Sequence, residues 1–126
     1  FYDSLAVGAP DAPVLKLDSE IDGQKSLTQV QARERFTAGA FLARCRPMTG
    51  RTHQIRIHLS GAGHPILGDT QYQGPRVFSW PGGTLTVPRV ALHASRLEIP
   101  GGEVFEAPWP EDFAAWVEAL RAGGKS

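Results

Sequence analysis

Between Arg51 and Asp69 the chain gathers side chains that can do chemistry: Arg51, His53, Gln54, Arg56, His58, His64 and Asp69. Three of its four histidines fall within residues 53–64. A metal centre is the first chemistry to weigh. His53 and His58 are five apart, about 140° around a helix, whereas ligands on one helix face need spacings of three or four. No HExxH and no Cys pair is present, so no metal is expected. A hydrolase would need a nucleophilic serine or cysteine in a context such as G-x-S-x-G, and the chain has none. The plainer expectation for His53, His58 and His64 is that they satisfy one another and the nearby backbone. Arg56 is different. It sits between Ile55 and Ile57, in a stretch that must pack on both sides. A buried arginine there needs a carboxylate or phosphate partner, which its planar fork can grip with two hydrogen bonds.

These residues need a scaffold, and the pattern suggests one. Tyr2 to Gly8 reads as a strand, followed by a Pro-rich loop from Ala9 to Pro13. Ser26 to Phe36 alternates apolar and polar residues, as a strand with one wet face does. Thr37 to Gly39 is a turn and Ala40 to Arg46 the return strand of a hairpin. Arg51 to Ala62 fits strand and helix patterns alike. Its length and the lack of a turn favour a helix, stopped by Gly61 and Gly63. Gln73 to Pro88 reads as a long loop. Ala91 to Ile99 and Val104 to Ala107 read as strands joined by a turn at Pro100–Gly102. Pro110 opens a last helix whose core stripe is Phe113, Trp116, Val117 and Leu120. This order of elements gives an α+β class with a mostly antiparallel or mixed β-sheet and flanking helices. One domain over residues 1–121 is expected, with residues 122–126 as a flexible tail.

Composition narrows the setting. The 126 residues are 41% hydrophobic and 21% charged, ordinary for a globular domain. No apolar run approaches the ~18 residues of a membrane helix. The lone cysteine, Cys45, cannot form an intrachain disulfide, which points to a cytoplasmic setting. Net charge is zero, but the charge is unevenly spread. Residues 33–56 hold six arginines (Arg33, Arg35, Arg44, Arg46, Arg51, Arg56) against one acid, Glu34. A local net of about +5 is suited to phosphates, although a solvated strand face would look the same. Met48 is the only methionine, so Phe1 reads as an internal position of a longer protein.

The run Gly50-Arg51-Thr52-His53-Gln54-Ile55-Arg56-Ile57-His58, then Gly63-His64-Pro65-Ile66-Leu67-Gly68-Asp69 and Tyr72, resembles the signature of RluA-type RNA pseudouridine synthases. Those enzymes carry G-R-T/S-H-Q-I/L-R-x-H followed by G-H-P-I-x-G-D-x-x-Y. The related RsuA-type enzymes have arginine where His53 stands, so His53 favours the RluA branch. Tyr2 to Gly8 resembles the family's Y-x-A-L-V-x-G strand, Asp22 to Thr28 its D-G-K-x-A-x-T stretch, and Leu92-His93-Ala94 a leucine-bearing strand that lines the pocket.

The resemblance implies part of a pseudouridine synthase catalytic domain, acting on uridine in ribosomal or transfer RNA without metal or cofactor. Carried over residue by residue, the family's arginine is Arg56, its tyrosine Tyr2 and its pocket leucine Leu92. Arg51, His53 and Gln54 would shape the cleft or meet RNA, and Arg33, Arg35, Arg44 and Arg46 would meet its phosphates. The family's nucleophilic aspartate lies in an H-R-L-D-x-x-T-S-G motif that is absent here, and Asp69 matches a different, structural position. The expectation is therefore the C-terminal part of the enzyme, inactive alone, with Arg56 awaiting a carboxylate from the missing N-terminal half. A catalytically dead RNA-binding relative is the alternative.

Overall fold

The computed structural model describes residues 1–123. Its centre is a five-stranded antiparallel sheet in the order β2-β3-β4-β1-β7. The strands are β1 (Tyr2–Val7), β2 (Val14–Leu17), β3 (Thr28–Phe36), β4 (Ala40–Pro47) and β7 (Leu92–Ala94). Two short hairpins flank it, β5 (Val77–Trp80) with β6 (Gly83–Thr86), and β8 (Arg96–Ile99) with β9 (Glu103–Glu106). Two helices complete the fold, α1 (Gln54–Gly61) and α2 (Glu111–Gly123). The α+β class and the mostly antiparallel sheet are as the sequence implied. Neither helix is long and apolar enough to cross a membrane.

Alternation decides what each sheet face carries. Cys45 pairs with Tyr2 and with Val30, so these three share one face. That face meets α1: Thr28 Oγ1 lies 2.7 Å from His58 Nδ1. The opposite face meets α2. His93 points the other way from Leu92, and its ring lies 6.4 Å from that of Phe113. Arg121 of α2 binds Glu34 of β3 at 2.9 Å. The expected stripe of Phe113, Trp116, Val117 and Leu120 is the buried side of α2, and burying each such side chain contributes about 2 kcal/mol. The sheet thus has a core layer on each side.

Several boundaries differ from the sequence reading. β2 lies in a stretch read as neither strand nor helix; it is only four residues long, with Leu15 and Leu17 packed against the core. The supposed loop from Gln73 to Pro88 follows a 3₁₀ turn at Thr70–Tyr72 and contains the β5–β6 hairpin. Its turn is Pro81–Gly82, with Gly82 at φ 104°, a backbone conformation that glycine tolerates. The strand expected from Ala91 to Ile99 is broken at Ser95, and its halves belong to different sheets. α1 is shorter than expected because Arg51–His53 form a turn before it. α2 runs to Gly123, and residues 124–126 of the expected tail lie outside the described residues.

Candidate active site

The N-terminus of α1 is fixed by one side chain. Gln54 is buried and all its hydrogen-bonding capacity is used. Its Nε2 donates to Leu27 O (2.8 Å) and Thr28 Oγ1 (2.9 Å). Its Oε1 accepts from Thr49 Oγ1 (2.6 Å) and the Arg51 amide (3.1 Å). His58 supports this from the next turn. The carbonyl of Ser19 can only accept, so His58 Nε2 carries the hydrogen (2.8 Å). Its Nδ1 lies 2.7 Å from Thr28 Oγ1, the same hydroxyl that accepts from Gln54. His64 likewise binds Val7 O at 2.9 Å. His58 and His64 are tied to neighbouring groups, as expected.

Just before α1, His53 adopts the left-handed conformation at φ 54°, which is uncommon for a residue with a Cβ. Its ring turns toward Tyr72, with Nδ1 2.9 Å from the phenol oxygen. Register does the rest. Ser4 pairs with Leu92, and Tyr2 with Ala94, so Tyr2 and Leu92 point to the same side of the sheet. A cavity of about 460 Å³ results, lined by Tyr2, Arg51, His53, Gln54, Ile55, Arg56 and Leu92 with Pro47, Thr49 and Gly50. Two arginines and no carboxylate line it, so it favours an anionic group. Arg51 itself is held to Lys25 O through Nη2 at 2.8 Å.

Arg56 already has one carboxylate partner within this chain, Asp69, which the sequence reading did not pair with it. Arg56 Nε donates to Asp69 Oδ2 and Nη2 to Oδ1, both at 2.8 Å. The Asp69 side chain is 1% exposed and that of Arg56 18%. Gln71 Oε1 accepts a further bond from Nη2 at 3.2 Å, and the guanidinium lies 5.0 Å from the Tyr72 ring centre. The hydrogen bonds to Asp69 raise the Arg56 pKa above its already high value. The loop that brings Asp69 here is tight. A Cβ on Gly68, at φ 81°, would collide with the carbonyl of Arg89, and one on Gly74 with that of Ile66. The sequence reading gave Asp69 a structural position and Tyr72 no role, and paired neither with Arg56. They were visible in the motif, but nothing in their spacing of 13 and 16 from Arg56 tells which way a loop folds back.

The remaining arginines lie elsewhere. Arg44 and Arg46 flank Cys45 in β4, so they face away from the cavity. Arg44 Nε binds Asp3 at 3.3 Å, and the Arg46 guanidinium stacks 5.4 Å from the Phe1 ring centre. Arg33 occupies the bulge between Ala32 and Glu34 and lines a smaller cavity with Asp3, Arg44 and Trp109. Arg35 is tied to the carbonyls of Pro10 and Ala12. Tyr2, Leu92, Arg51, His53, Gln54 and Arg56 come together, whereas Arg33, Arg35, Arg44 and Arg46 do not join them.

No protein-family model matches the chain. Individual proteins do. A ribosomal large subunit pseudouridine synthase D of Nitrosomonas europaea is 40% identical over 107 residues, covering 79% of this chain and 30% of that protein. A ribosomal large subunit pseudouridine synthase C of Escherichia coli is 44% identical over 108 residues, covering 79% and 33%. The chain is homologous to part of an RluA-type pseudouridine synthase. It spans about a third of the length of these relatives. Among solved structures, human RNA pseudouridylate synthase domain containing 1 superposes with a TM-score of 0.67 at 26% identity, over 96% of this chain and 64% of that one. The fold and the sequence thus point to the same pseudouridine synthase relatives.

Proposed function

We propose that this chain forms one side of a pseudouridine synthase active site, and that the complete protein isomerises uridine to pseudouridine in RNA. The observation that carries this reading is the convergence of Tyr2, Arg56 and Leu92 on one cavity, from three elements far apart in sequence. In this reading a flipped uracil enters the cavity, since a base must leave its stack before its glycosidic bond can be reached. Tyr2 meets the base face, Leu92 packs beside it, and Arg51, His53 and Gln54 form the wall nearest the RNA. Arg56 offers its guanidinium to the nucleophilic carboxylate, which a segment other than this one supplies. The N1–C1′ bond breaks, the uracil turns, C5 bonds to C1′, and the proton lost from C5 is balanced by one gained at N1. Ribosomal RNA is the favoured substrate because the relatives' names specify it, with transfer RNA as the other candidate. A cytoplasmic setting goes with this reading, supported by the single buried thiol.

The test uses the complete protein and uridine-containing RNA, with pseudouridine counted by mass spectrometry. Wild type should convert its target. Arg56→Ala should lower the rate at least about 10²-fold, as removal of a charge-stabilising group does. A near-wild-type rate would remove Arg56 from the machinery. A protein that binds RNA but converts none would favour the inactive relative.

A further inference from the structure

Arg56 has three nitrogens, and Asp69 takes only two of them. Nε and Nη2 make parallel bonds to the carboxylate, while Nη1 has no hydrogen-bond partner among the described residues. The guanidinium is planar and its donors are fixed in direction. Gripping one edge therefore orients the other, and Arg56 lines the cavity. Asp69 in turn cannot wander. It is buried, its amide binds Ile66 O at 3.1 Å, and its carbonyl accepts from the amides of Tyr72 and Gly74. The Tyr72 ring lies over one face of the guanidinium, 5.0 Å from its central carbon. Burying such an ion pair adds little net stability, because well-packed apolar residues of the same volume often do as well. Its place beside the cavity points to another role.

We propose that Asp69 is the positioning residue for Arg56, holding Nε and Nη2 so that Nη1 alone is presented to the cavity. Arg56 then bridges two carboxylates, a permanent one behind it and the nucleophile's in front. This inference rests on the function proposed above. Without Asp69 the long side chain is free to swing, and the nucleophile loses its fixed counter-ion. A misplacement of about 1 Å at such a group can slow a reaction about a hundredfold.

The experiment compares wild type, Asp69→Asn, Arg56→Lys and the double variant in the complete protein. It measures single-turnover pseudouridine formation and, separately, RNA affinity. Asp69→Asn should be about a hundredfold slower with RNA affinity unchanged, and Asp69→Glu should recover part of the rate. The double variant should be no slower than the slower single variant, because both changes break one unit. A rate within twofold of wild type for Asp69→Asn, or losses that multiply in the double variant, would overturn the proposal. Nitrogen NMR of the Arg56 guanidinium in wild type provides a readout that needs no variant to fold. Hindered rotation with a protected Nη2 is expected, and a freely rotating group would overturn the clamp. If wild type forms no pseudouridine, the functional reading falls, while the NMR result still decides whether Asp69 holds Arg56.

Discussion

Arg56 shows what one residue can and cannot disclose. Its need for an anionic partner was legible from its apolar neighbours, since an unpaired buried charge is too costly. Which anion would answer was not legible, because Asp69 returns through a loop shaped by Gly68 and Gly74. Cys45 makes a sharper prediction at this scale. It is fully buried in the core, and burial pushes its thiol from 9.0 to about 12, partly offset by the hydrogen bond with Ser4. The raised value favours the protonated thiol in the folded state. Its contribution is complete below pH 9, where the unfolded thiol is also protonated, and drains away as pH climbs toward 12. The loss should be about 1.4 kcal/mol per pH unit in that window. Urea unfolding at stepped pH, for wild type against Cys45→Ala, reads the difference directly. Equal pH dependence in the two proteins would contradict it. Alkylation of the native protein at pH 8 should likewise be negligible.

At the scale of elements, strong periodicity was legible and weak or interrupted periodicity was not. The α2 stripe, the β3–β4 hairpin and the turn between them followed from alternation and helical spacing. The β5–β6 hairpin did not, because Pro and Gly obscure strands only four residues long. The arginine cluster was legible as charge but not as geometry. In the sheet, Lys16, Gln29 and Arg46 form one cross-strand row, on the side opposite the cavity. If RNA wraps onto that face, affinity should fall linearly in log–log terms with salt. Arg46→Ala should then reduce the slope by about 1. Binding titrations of the complete protein at several salt concentrations test this, and an unchanged slope would show that RNA does not touch β4. Arg44 should matter less, since Asp3 already compensates its charge.

At the scale of the molecule, the cavity was legible only through resemblance. No local pattern reports that residues 2, 56 and 92 meet, because the strand order that unites them depends on distant pairings. β1 lies between β4 and β7, and neither neighbour is close in sequence. Tyr2 pairs with Cys45 and with Ala94, closures of about 40 and 90 residues. That placement of β1 has a kinetic consequence. The β3–β4 hairpin closes over a three-residue turn and costs little chain entropy, whereas seating β1 requires two long closures. The hairpin should therefore be protected first in pulsed hydrogen exchange during refolding, with β1 and β7 last. Simultaneous protection of all five strands would argue against this order. On this schedule the pocket does not exist in any partly folded chain. A molecule able to hold a base would be one that has finished folding, and early intermediates would display the basic hairpin without the cavity.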